Sequence, residues 1–192
     1  MDVYNCLQGL VSNEDNENLT KVPTIQEVRQ CVFSMKPESA AGPDCFGGGF
    51  YQSCWEVIKD DLLNLVRDFF QGKALTRAVT HTAIVLIPKV SNPATFAQFR
   101  PISLSNYCNK IITKIMVTML SNVLIRVVSP YQAGFVKDMN IIDNILLAEE
   151  LCHGITASNE DVVLKLDMTK AYDRMSWKCV TTLMRKMGFS EG

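Results

Sequence analysis

The chain has 192 residues, of which 47% are hydrophobic and 20% charged, and its formal net charge is -1. This is the composition of a folded protein with a sizeable core, and it excludes an intrinsically disordered chain. The near-zero charge excludes a globally basic nucleic-acid binder, so any such partner has to meet a local basic patch.

In chain order, residues 1–22 are polar, lack periodicity and read as a loose lead-in. Thr24 and Glu27 have capping-box spacing and predict a helix with Ile25, Val28, Val32 and Met35 on one face, stopping before Pro37. A glycine-rich connection, SAAGPDCFGGGF, leads into a predicted helix over residues 51–70 that ends near Gly72. HTAIVLIPK reads as a strand closed by Pro88, and VSNPATFAQFRPISLSN as a loop with three turn signals. Over residues 107–127, apolar residues recur at spacings of three and four, which predicts a long helix ending before Pro130. Lys110, Lys114 and Arg126 lie off its apolar face, as a template-tracking stripe or, the preferred reading, a solvated face. A helix over residues 141–153, a strand at DVVLKLD and a last amphipathic helix capped by Ser176 and stopped at Gly188 complete the chain. Helices outnumber strands and separate the two best ones, so the fold class is α+β (mixed α/β).

The longest apolar runs, such as AIVLI, are too short to span a bilayer, and the start MDVYNCLQGL lacks the features of a secretory signal. The seven cysteines include no C-x-x-C pair. They read as buried free thiols of a reducing compartment, nuclear or cytoplasmic, rather than as a zinc site or disulfide framework.

In VVLKLDM, strand alternation places Val163, Lys165 and Asp167 on the face opposite Val162, Leu164 and Leu166. A carboxylate closing a strand is well placed to hold a divalent cation, for which Mg²⁺ prefers hard oxygen donors. The competing reading, favoured on spacing alone, makes Asp167 a helix N-cap in a strand-to-helix loop.

LKLDMTKAYDRMSW resembles the first catalytic motif of reverse transcriptases, most closely that of plant non-LTR (LINE-type) retrotransposons. AAGPD, FYQSCW, AIVLIPK, FRPISLSN and QAGFVKDMNIIDNILLAEE resemble further motifs of the same family in the same order. The resemblance implies the fingers and partial palm of a right-hand polymerase. Residues 1–22 would be a lead-in, 23–156 the fingers-like subdomain and 157–192 the start of the palm. It implies that Asp167 binds the catalytic metals, two Mg²⁺ ions in the complete enzyme, together with the backbone carbonyl of Met168. Tyr172 would exclude a ribose 2′-hydroxyl, and Asp173 would be structural, capping the following turn. Lys89 and Arg100 would bind the nucleotide triphosphate, with Pro101 rigidifying the turn that aims Arg100. Gly42, Pro43 and Asp44 would form a tight turn near the template. The implied partners are an RNA template, a DNA primer and dNTPs.

The chain departs from the family pattern in three places. The second carboxylate motif, Y/F-A-D-D, does not occur, so this polypeptide alone is expected not to polymerise DNA. Asp138 and Met139 stand where Gly-Arg is usual, and Cys45 where glycine is common. Two alternatives to a reverse transcriptase fragment stay open: a non-catalytic RNA-binding fingers-like module, and a retrotransposon remnant without function.

Overall fold

A computed structural model of the chain describes residues 9–136, 139–153, 155, 162–168 and 170–191, excluding the side chain of Tyr172. Asp138, with its departure from the family pattern, lies outside them. The chain divides into two compact units: Thr20–Met119, and the described residues of Met1–Leu19 and Leu120–Gly192. Helices and one small antiparallel sheet make the α+β fold that the sequence predicts. The expectation of buried thiols is not met by Cys45 and Cys152, which are exposed.

The Thr20–Met119 unit begins with the last residue of α1 (Asn13–Thr20) and then α2 (Ile25–Ser34), where the expected capping box forms. Thr24 Oγ1 accepts the Glu27 N–H at 3.3 Å, and the Glu27 carboxylate accepts the Thr24 N–H at 2.7 Å. The helix expected over residues 51–70 is two helices, α3 (Gly48–Ser53) and α4 (Trp55–Phe70), broken at Cys54. Before the break, the Gln52 amide donates to the Val32 and Met35 carbonyls at 3.0 and 2.9 Å, which satisfies the open C-terminal end of α2. α5 (Arg77–Thr80) is one short turn. Long α6 (Tyr107–Val127) covers the expected residues. The core is apolar side chains from three helices: Val28 and Val32 of α2, Trp55, Leu62 and Val66 of α4, and Tyr107, Ile111 and Ile112 of α6. Their three- and four-residue spacing is why these segments are helical.

Between α5 and α6 stands a two-stranded hairpin, β1 (Thr82–Pro88) and β2 (Phe99–Ser105). The register runs from Thr82 opposite Ser105 to Pro88 opposite Phe99. β2 corrects the expectation of a loop there. Pro101 looked like a break, but in a two-stranded sheet both strands are edges, and an edge tolerates a residue that cannot donate a ladder bond.

In the second unit, α1 (Asn13–Thr20) corrects the reading of residues 1–22 as a loose lead-in. Ser12 Oγ accepts the Asp15 N–H at 3.1 Å, and Asp15 Oδ2 accepts the Ser12 N–H at 2.8 Å, a capping box in a segment with no apolar period. Asp15 Oδ1 also pairs with Arg126 at 2.5 Å. α7 (Ile141–His153) and α9 (Trp177–Met187) occupy the expected residues, and α9 stops at Gly188, whose φ is 99°. Ser176 sits at the N-cap of α9, but its side chain makes no capping bond, contrary to expectation. Asn16 binds the end of α9: its amide donates to the Gly188 carbonyl at 2.8 Å and its Oδ1 accepts the Ser190 N–H at 2.9 Å. The Leu10 and Val11 N–H groups both donate to the Met187 carbonyl, at 2.9 and 3.0 Å.

The Ser12 N–H, then the Ser12 hydroxyl and the Arg126 guanidinium, hold the Asp15 carboxyl down at about 2, from 3.8. A depressed folded-state value stabilises above the unfolded value, and that stability is lost as pH falls through the folded value. The melting temperature of the chain is therefore expected to fall between pH 4 and pH 2, and Asp15→Asn to flatten that part of the profile. An unchanged slope in the variant would show that Asp15 contributes nothing to acid sensitivity.

Candidate functional site

The hairpin places two of the predicted site residues together. Arg100 is opposite Ile87 in the register, and Lys89 follows Ile87 by two residues. Alternation along a strand therefore puts Lys89 and Arg100 on one face at the hairpin's far end. The ladder continues one bond past β1, with the Lys89 N–H donating to the Gln98 carbonyl at 2.7 Å. Both side chains are exposed. The Lys89 ammonium donates to the Ala97 carbonyl at 2.9 Å, which folds it along the tip. Arg100 has no carboxylate partner among the described residues, so its guanidinium fork is presented to solvent rather than spent on an ion pair. Pro101, opposite Leu86, fixes the backbone beside it.

Gly42, Pro43 and Asp44 form the expected tight turn, closed by the Cys45 N–H donating to the Gly42 carbonyl at 3.0 Å. Asp44 accepts the Phe46 N–H at 3.1 Å and stabilises the turn from within. Cys45, noted as a departure from glycine, has φ 64°, the left-handed conformation in which glycine carries no steric cost. Burial pushes the Tyr51 hydroxyl and the Cys108 thiol behind this turn upward, with the charge of Asp44 adding to both.

Sequence reasoning missed the residue that holds this turn, Asn106, which lies between β2 and α6 and is 2% exposed. Its Oδ1 accepts the Asp44 N–H at 3.2 Å, and its Nδ2 donates to the Ala78 carbonyl at 2.6 Å. The only signal was a polar residue at the end of a loop-like run, directly before a helix-like one. Lys110 donates to the Ala40 carbonyl at 2.5 Å, Lys114 borders a cavity of about 300 Å³ against α2, and Arg126 pairs with Asp15. Two of the three cations of α6, Lys110 and Arg126, thus have partners on the protein itself.

Asp167 lies in residues 162–168, which are exposed and form no strand, a correction to the expected DVVLKLD strand. Leu166 is 92% exposed, and the only two strands among the described residues pair with each other. An alternating sequence becomes a strand only when another strand supplies its ladder bonds and a layer covers its apolar face. Asp167 is not an N-cap either: α8 (Ala171–Arg174) starts from Lys170, at φ 53° and without a side-chain cap. Asp173 lies within α8, where its N–H donates to the Lys170 carbonyl at 3.0 Å. Tyr172 is in the same turn, but its side chain is outside the described residues. No group of three His, Cys, Asp or Glu among the described residues could hold a metal ion. One exposed carboxylate and the Met168 carbonyl do not make a two-ion site.

The sequence model of the family described as reverse transcriptase (RNA-dependent DNA polymerase) matches residues 87–191. The chain belongs to the reverse transcriptase family. The match starts at Ile87 in β1 and takes in Lys89, Arg100, Asn106 and Asp167. A curated relative, the "Transposon TX1 uncharacterized 149 kDa protein" of Xenopus laevis, is 26% identical over 181 residues. That alignment covers 94% of this chain and 14% of the frog protein, so the chain spans about one seventh of that relative's length. Reverse transcriptases as a family act with divalent metal ions on nucleic-acid templates and deoxynucleotides. No described helix is long and apolar enough to cross a membrane.

Proposed function

We propose that this chain is the fingers and the beginning of the palm of a retrotransposon reverse transcriptase, of the LINE type and plant origin. In this reading residues 23–156 are fingers-like and 157–192 open the palm. The observation that carries it is the hairpin, which lies at the start of the family match and holds Lys89 and Arg100 exposed on one face. A flat cationic fork beside a compact ammonium suits a triphosphate. Asp167 and the Met168 carbonyl are assigned to the Mg²⁺ ions of a complete palm, Tyr172 to the sugar of the incoming nucleotide and Asp173 to the turn after it. The turn at Gly42, Pro43 and Asp44 is assigned to the template side. RNA template and DNA primer are the partners of the complete enzyme. With one carboxylate of the metal set and no Y/F-A-D-D in its sequence, this chain alone does not polymerise.

The test is titration of the full chain with dATP and with inorganic tripolyphosphate at low salt. Arg100→Ala is expected to weaken both about tenfold to a hundredfold, the effect of losing charge-assisted hydrogen bonds worth roughly 1.5–3 kcal/mol. Equal affinity in wild type and variant would remove the phosphate role of Arg100. Salt-sensitive RNA binding with no triphosphate binding would favour the RNA-binding module instead.

A further inference from the structure

The hairpin is an arm with little to steady it along its length. Ile84, Val85, Leu86 and Ile87 on β1 are 68%, 43%, 46% and 46% exposed, and Ile102 on β2 is 40% exposed. Packing along its length is therefore incomplete. Its two strands of seven residues, at about 3.3 Å per residue, carry Lys89 and Arg100 some 20 Å from the root at Thr82 and Ser105. A tilt of about 10° at the root would move the tip by roughly 4 Å, more than a hydrogen bond tolerates.

One side chain bridges the segments that meet at the root. Asn106 directly follows β2, and both ends of its amide are used. Oδ1 takes the Asp44 N–H of the turn, and Nδ2 gives to the Ala78 carbonyl of α5, four residues before β1 begins. Its own carbonyl accepts the Lys110 N–H at 3.2 Å and opens α6. One amide, 2% exposed, thus joins the segment entering the arm, the segment leaving it and the turn beside it. A buried amide with both ends satisfied has one geometry, and losing either partner leaves one end of that buried amide unsatisfied.

We propose that Asn106 is a positioning residue, the pivot that aims the arm carrying Lys89 and Arg100 toward the triphosphate. The inference rests on the phosphate-binding reading of those two residues. Asn106 itself touches no substrate.

The test uses the full 192-residue chain. Backbone amide residual dipolar couplings are measured for residues 82–105 and for α2, α4 and α6, in wild type, Asn106→Ala and Asn106→Asp. Asn106→Asp keeps an acceptor for Asp44 and loses the donor to Ala78. In wild type, arm and helices should fit one alignment tensor. In both variants the arm's tensor should shrink to about half or less while the helices keep theirs, and tripolyphosphate affinity should fall about tenfold at unchanged helical content. An arm tensor unchanged in the variants would overturn the pivot. So would loss of helical signal in both, which would make Asn106 a folding residue. If wild type binds no tripolyphosphate, the phosphate reading falls, while the tensors still decide the pivot.

Discussion

Ile111→Ala is expected to destabilise the Thr20–Met119 unit by about 2–5 kcal/mol, read as a lower urea midpoint. Ile111 is 0% exposed and lies on α6 among Val28, Val32, Trp55 and Ile115, at the centre of the three-helix core. Removing its branched side chain forfeits the transfer energy of the lost carbons and leaves a cavity that helices on several sides cannot all close. The same helix supplies a control. Ile125 is 53% exposed, and Ile125→Ala is expected to stay within about 0.5 kcal/mol of wild type. Similar shifts for the two variants would mean that the three-helix packing is not what holds this unit together. Domains of ordinary stability have only about 5–15 kcal/mol in total, so the loss at Ile111 takes a large share.

Gly42→Ala is expected to cost about 1–3 kcal/mol and to weaken triphosphate binding in the same experiment. The φ of Gly42 is not the reason. A Cβ there would lie 2.5 Å from both Asn106 Oδ1 and the Ser105 carbonyl carbon, and against the Asn106 nitrogen. Two of these three atoms are backbone, so no side-chain rotation relieves the overlap. The turn has to move away from Asn106, and the bond to Asp44 is lost with it. Gly9 has nothing within 4 Å of its Cβ position, and Gly9→Ala is expected to be nearly silent. A Gly42→Ala variant as stable as wild type would show that the turn packs against Asn106 more loosely than the structure has it.

The parts of the fold legible in the sequence are those whose cause is local. The period of three and four in residues 107–127, the Thr24–Glu27 capping box and the stop at Gly188 each predict a feature from neighbours a few residues away. The misses have non-local causes. α1 has no apolar stripe; its sequence signal was the Ser12–Asp15 spacing, and its other support comes from Arg126 and Gly188, far along the chain. β2 was hidden by Arg100 and Pro101, which interrupt the apolar alternation, and it exists because β1 pairs with it. The reverse error came at residues 162–167, where alternation is good and no partner strand is present among the described residues. Of the candidate site, residue types and motif order were legible, and so was the turn at Gly42. The shared face of Lys89 and Arg100 needed the hairpin register. Asn106 was invisible because its partners, Asp44 and Ala78, lie 62 and 28 residues away.

The bonds from Asn16 to Gly188 and Ser190 join residues 172 and 174 positions apart. During synthesis at roughly 5–20 residues per second, α1 leaves the ribosome about ten to thirty seconds before the helix end that it binds. Thr20–Met119 can meanwhile close its own core. A nascent helix that has to wait so long needs a surface that attracts nothing, and NEDNENLT, without a single buried residue, provides one. The polarity that hides α1 from a search for amphipathic stripes is then also what keeps it unattached until its partner is made.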